Sequence, residues 1–209
     1  MTDRVKPKVI AAGVLLAAVL VGGCADRAAD GDPVSDYRDA NPTPHAFEIC
    51  YNHGCTERAK VNLTYDDWRD VVALFEPRPS EPTEERARIQ YAVALLETKV
   101  GAATGTDRDI GGWLAGAILD YQLDCVDESV NTTTYLMLLQ QQGLIHLHDF
   151  GAPVKRGYFL NGWPHRSAVI ADRETGRRYA VDSSFGDNGE PPAIVPLEEW
   201  QDGWKPPGA

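Results

Sequence analysis

From Thr64 to Gln142 the apolar positions recur at helical spacing; beyond Gly143 they follow the shorter period of strands. Thr64 precedes Trp68, Val71, Val72 and Phe75, with Asp67 three residues on, a helix start with a capping residue and a reciprocal acid. That helix is predicted to run to about Phe75, where Pro77 and Pro79 stop it. Ser80 caps a second helix, with Pro82 in its first turn and Glu84 and Glu85 near the positive end. Ile89, Val93, Leu96 and Val100 form its buried stripe, and Gly101 ends it. A Gly/Thr/Asp loop over residues 102–112 leads to a short helix at Trp113–Ile118. A third long helix runs from Cys125 to Gln142, with Val126, Val130, Thr134, Leu136, Met137 and Leu139 as contacts and Gly143 as terminator. Strand-like segments follow at Leu144–Phe150, Gly157–Asn161, Pro164–Ala171 and Arg177–Asp182; two more, Phe47–Tyr51 and Lys60–Leu63, flank a cysteine loop upstream. Trp200 and Trp204, among acids, predict a C-terminal helix packed on the core. Helices preceding an antiparallel meander read as an α+β fold.

The first 45 residues do not fit that scheme. Arg4, Lys6 and Lys8 open the chain, and an apolar run from Val9 to Val21 follows, short of the ~20 residues a spanning helix needs. This is the pattern of a secretory signal. The segment Leu20-Val21-Gly22-Gly23-Cys24 resembles the bacterial lipoprotein signal. The resemblance implies cleavage before Cys24, acylation of that cysteine and a membrane anchor of several chains. Residues 1–23 are then the signal peptide. Ala25 stands where an Asp would mark inner-membrane retention, which points to the cell envelope at the periplasmic face of the outer membrane. Residues 24–45 are small, acidic and Pro-containing, with only Val34 and Tyr37 as sizeable apolar groups, and read as a flexible tether. Residues 46–209 form a single domain, long enough to bury a core.

Charge narrows the partners. The chain carries a formal net charge of −11; residues 1–23 hold Arg4, Lys6 and Lys8 against Asp3, so the remainder carries −13. Such a surface repels phosphate backbones, which excludes a nucleic-acid role. The membrane is reached through the lipid anchor instead. Of four cysteines, Cys24 is assigned to lipid. Cys50 and Cys55 are separated by Tyr-Asn-His-Gly, with Asn52 and Gly54 suited to a turn, and are expected to pair in an oxidising compartment. Cys125 is left as the odd thiol: buried and inert, intermolecular, or reactive.

The reactive reading has a chemical requirement. Asp124 caps the helix that Cys125 opens, so the sulfur stands at the positive end of the dipole. That is worth only about 0.3–1 kcal/mol at an exposed site, and Asp124, Asp127 and Glu128 oppose it. An imidazolium does far more, taking a thiol from a pKa of about 8.5 to roughly 3–4. Of the five histidines, His45 lies in the tether, His53 in the cysteine loop, and His146 and His148 on one strand face; His165 is placed best. It begins a strand whose hairpin partner ends at Asp182, across the turn Arg173-Glu174-Thr175-Gly176. If Asp172 faces Arg177, Asp182 lies opposite Ser167 and diagonal to His165; a register shifted by two sets it directly opposite His165. Either register lets the acid fix one ring nitrogen while the other serves sulfur. The backbone N–H of Cys125 and the side-chain amide of Gln122 are candidate oxyanion donors, although Gln122 can equally be a surface residue. His146 and His148 are too few for a metal site, so no metal and no cofactor is implied.

Three stretches carry a resemblance: Asp124-Cys125-Val126-Asp127-Glu128-Ser129, Trp163-Pro164-His165-Arg166-Ser167-Ala168-Val169 and Tyr179-Ala180-Val181-Asp182-Ser183-Ser184. In order and spacing they resemble the transglutaminase-like, papain-related superfamily, and the whole chain resembles bacterial exported lipoproteins. The resemblance implies a transglutaminase-like core with Cys125 as nucleophile, His165 as general base and then acid, and Asp182 as orienting group. Ser167 stands where that superfamily often has an aromatic residue. The expected activity is a cysteine hydrolase or acyltransferase acting on an amide or ester of a protein, peptide or cell-wall substrate. The alternative from another class is a non-catalytic lipoprotein module that binds an envelope protein or wall fragment.

Overall fold

The computed structural model describes residues 41–112, 119–157 and 164–207. Mixed helices and antiparallel sheets make the α+β fold expected. The signal peptide, Cys24, nearly all of the tether, the short helix at Trp113–Ile118 and most of the strand expected at Gly157–Asn161 lie outside the described residues. No helix among the described residues is long and apolar enough to cross a membrane.

Packing begins ahead of Ala46. Pro42 and Pro44 are buried. The His45 ring sits 2.6 Å from the Leu63 carbonyl oxygen and 4.3 Å from the Tyr65 ring. Strands β1 (Phe47–Tyr51) and β2 (Glu57–Val61) then form an antiparallel hairpin, with Cys50 opposite Arg58. Helix α1 (Tyr65–Ala73) carries the expected capping box between Thr64 and Asp67.

Helix α2 (Pro82–Thr104) runs through Gly101 and stops only at Gly105, whose φ of 88° provides the left-handed cap. Gly101 serves close approach instead: a Cβ there would stand 2.9 Å from both the Asp107 nitrogen and the Asn188 amide. The N-cap is Glu81, not Ser80. A 3-10 turn, Thr106–Arg108, follows.

Helix α3 (Cys125–Gln141) is the centre of the molecule, buried from Cys125 through Leu139. It packs against β1 and against two strands of the second sheet, β3 (His148–Arg156) and β4 (His165–Asp172). Its polar residues tolerate burial because they bond locally: Thr133 donates to the Ser129 carbonyl at 2.6 Å and Thr134 to the Val130 carbonyl at 3.0 Å. Asn131 spends its amide on the backbone of Cys50, accepting at 2.7 Å and donating at 2.9 Å.

The second sheet has the order β3-β4-β5-β6, all antiparallel, with β5 at Arg178–Asp182 and β6 at Ala193–Pro196. β3 starts later than the strand predicted at Leu144–Phe150, because the backbone of residues 146–148 is turned onto Glu85. The β4–β5 register sets Ala168 against Val181 and Ala171 against Arg178, the alignment in which Asp182 falls diagonal to His165. Helix α4 (Leu197–Gln201) includes fully buried Trp200 but ends before Trp204. Ile89, Val93 and Leu96 of α2 meet Leu136 and Leu139 of α3 and Ile170 and Val181 of the sheet in one core. Each large apolar side chain buried there contributes about 1.5–3 kcal/mol.

Candidate functional site

The site is built where α3 begins and where the β4–β5 hairpin ends. Asp124 caps α3, accepting from the Val126 and Asp127 amides at 2.9 and 3.1 Å, while Asp127 accepts from the Asp124 amide at 3.1 Å. This reciprocal box fixes Cys125 as the first helical residue. Cys125 is 3% exposed.

Its sulfur corrects one expectation. Cys50 and Cys55 pair with each other as anticipated. Cys125, read from the sequence as the leftover thiol, is itself disulfide-bonded. The oxidised sulfur does not titrate and is no nucleophile.

His165 and Asp182 meet as the hairpin register requires. The imidazole Nε2–H donates to Asp182 Oδ2 at 2.8 Å. The same oxygen accepts the indole N–H of Trp200 at 2.6 Å, and Oδ1 accepts the Ser184 amide at 3.2 Å. Trp200 also stacks on the imidazole, ring centres 5.6 Å apart, and Phe185 lies 5.2 Å from it. Arg156, opposite His165 on β3, covers the Trp200 ring at 4.4 Å and donates to its carbonyl. The carboxylate thus holds Nε2, and Nδ1 is the ring nitrogen turned from it.

Gln122 is 2% exposed, not a surface residue. Its amide donates to the Arg108 carbonyl at 2.8 Å and accepts from the Ile110 amide at 3.1 Å, which ties the loop after α2 to the head of α3. That bonding commits the group proposed as an oxyanion donor to a backbone role. Tyr121, beside it with φ 65°, stacks on Tyr51 at 5.8 Å.

Behind the site lie buried acids, of which the sequence singled out Asp127 and Glu128 but not Glu97 and Asp109. Burial pushes Glu97 up to about 7 and Asp109 to about 6. Burial, then the neighbouring carboxylates, hold Glu128 and Asp127 well above the ordinary carboxylate range. Oxygens of Glu97 and Glu128 are buried with no hydrogen-bond partner among the described residues.

His146 and His148 are turned to Glu85. That fully buried carboxylate accepts the amides of His146, Leu147 and His148, each at 2.9 Å. His148 Nδ1–H adds a bond at 2.9 Å, and His146 Nδ1 lies 2.9 Å away without hydrogen-bond alignment. Burial acts to raise the Glu85 pKa; the His148 ring and backbone amides outweigh it and hold the group below its ordinary value.

Sequence reasoning missed Trp200 as the second anchor of Asp182. The available signal was that a buried indole needs a hydrogen-bond partner. No protein-family model, curated protein or solved structure matches this chain.

Proposed function

We propose that this chain is an envelope-anchored cysteine hydrolase or acyltransferase with a transglutaminase-like core, acting on an amide or ester through Cys125, His165 and Asp182. The observation that carries the reading is the 2.8 Å bond from His165 Nε2 to Asp182, itself braced by Trp200. It is the ring-and-acid half of such a site, at one end of the sheet on which the helix opening with Cys125 packs.

The reading makes the disulfide at Cys125 the resting form. A dithiol reductant breaks the S–S bond by two-electron exchange, and the released thiol passes its proton to His165. The thiolate attacks the carbonyl; His165 then protonates the leaving amine or alcohol, and an acyl-enzyme remains. Water or an amine attacks the thioester with His165 as base, which regenerates the thiol. Asp182 stabilises the imidazolium throughout.

The test is alkylation of the full chain by iodoacetamide across about pH 5–9, before and after mild dithiol treatment. Cys125 is expected to label only after reduction, with an inflection well below about 8.5 that moves upward in His165→Ala. An inflection near 8.5 that ignores His165→Ala overturns the enzymatic reading.

The disulfide at Cys125 and its burial favour a second reading, a non-catalytic lipoprotein module for an envelope protein or wall fragment. In that case partner capture survives Cys125→Ser and no peptide library is turned over.

A further inference from the structure

The disulfide loop carries its own chemistry to the head of α3. Asn52, His53, Gly54 and Cys55 have φ of 62°, 63°, 68° and 56°, a left-handed turn that lays the loop over the helix start. Three bonds clamp it there: Cys55 N–H to Asp127 at 2.7 Å, Asn52 N–H to the Gln122 carbonyl at 3.0 Å, and Tyr121 N–H to the Asn52 side chain at 2.7 Å. His53 Nε2 is buried with no hydrogen-bond partner among the described residues. A ring nitrogen of His53, a carboxylate oxygen of Asp124 and one of Asp127 all lie within 4.8 Å of one another.

A buried ring nitrogen without a partner is rare enough to need a ligand as its explanation. Both carboxylates are fixed by the capping box, so neither swings away without undoing the helix start. The positive end of the helix opposes a cation, but a bound cation draws the two adjacent carboxyl groups of the cap into their charged form, which offsets it. One imidazole nitrogen and two carboxylate oxygens suit a borderline divalent metal; calcium and magnesium prefer all-oxygen shells. The sulfurs of Cys50 and Cys55 also approach Asp127, but a disulfide is a poor ligand compared with a thiolate.

We infer that His53, Asp124 and Asp127 form a divalent transition-metal site, suited best to zinc, that locks the disulfide loop onto the start of α3. Water completes the coordination of a three-ligand zinc. The site makes no use of the Cys125 sulfur and stands or falls apart from the acyl-transfer reading.

The experiment is equilibrium dialysis of the oxidised full chain against zinc chloride, with cobalt absorption as a second readout. Wild type is expected to take up zinc, and His53→Ala to weaken it by at least about tenfold. Asp124→Asn keeps an acceptor for the Val126 and Asp127 amides, so it preserves the cap while removing a charged ligand; it should weaken zinc similarly. Far-UV circular dichroism checks that both variants fold. Wild type that binds no zinc, or zinc uptake unchanged in folded His53→Ala and Asp124→Asn, overturns the site.

Discussion

The indole of Trp200 and the carboxylate of Asp182 are joined by a 2.6 Å hydrogen bond inside the fold, eighteen residues apart in sequence. The bond ties α4 to the end of β5. It also occupies the oxygen that receives His165, so the ring and the indole share one anchor. Trp200→Phe keeps an aromatic ring against the imidazole and removes only the donor. The expected loss is about 1–3 kcal/mol of folding stability, read from urea unfolding. A variant as stable as wild type would mean that the indole N–H contributes nothing net to this anchor.

Asn131 bridges α3 to β1 by pairing with both backbone groups of Cys50. Asn131→Ala leaves a buried N–H and a buried C=O without those partners, at an expected cost of about 2–4 kcal/mol. Asn131→Asp keeps the acceptor for Cys50 N–H but sets a carboxylate against the Cys50 carbonyl. It should destabilise at least as much. Urea midpoints monitored by far-UV circular dichroism check the pair; two variants near wild type would remove Asn131 from the account of how the hairpin is held.

Glu85 holds the entry to β3. Its folded-state pKa lies below the ordinary 4.5, so the stability it contributes is present above that pH and is lost as pH falls through the folded value. Glu85→Ala exposes three amides and two imidazoles to a buried void and should cost about 3–5 kcal/mol at neutral pH. Glu85→Gln retains one acceptor oxygen and should cost less. It should also lose that part of the acid sensitivity below about pH 4.5. Acid titrations followed by tryptophan fluorescence separate these outcomes; an acid-unfolding profile unchanged in Glu85→Gln would assign the sensitivity to other carboxylates.

The features legible in the sequence are those set by local chemistry. Thr64 with Asp67 and Asp124 with Asp127 are capping pairs three residues apart, so the starts of α1 and α3 could be read directly. The short turn, in which Asp172 accepts the Glu174 and Thr175 amides at 3.0 and 2.8 Å, limited the β4–β5 register to two alternatives, and the structure has the one with Asp182 diagonal to His165. Either alternative was enough to bring Asp182 to His165. What stayed hidden rests on distant partners. Gly101 looked like a helix stop, yet its missing side chain makes room for Asn188 and the backbone of Asp107. β2 spans Glu57–Val61 and not the expected Lys60–Leu63, because the tight Cys50–Cys55 loop returns the chain at once. The Glu85 cradle and the Trp200 anchor join residues far apart in sequence, and no period or spacing encodes them.

Glu97 sets the last expectation. It is 6% exposed, accepts the Gly189 amide at 3.2 Å, and is hydrogen-bonded by Ser183, next to Asp182. Unfolded, it ionises near 4.5; burial raises this in the fold to about 7. Between those values the folded chain binds more protons than the unfolded one. Stability is therefore fully present below pH 4.5 and is lost as pH rises through about 7. Asp109, raised to about 6, acts in the same direction. Glu97→Gln cannot ionise and keeps an acceptor for Ser183 and Gly189. It should flatten the fall in stability across that window and gain on the order of 2–3 kcal/mol at about pH 8. The Asp109 share should remain, so the slope shrinks without vanishing. Urea unfolding at several pH values measures this; a slope identical to wild type would show that Glu97 is ionised in the fold at neutral pH, and that its burial is offset by partners other than a proton.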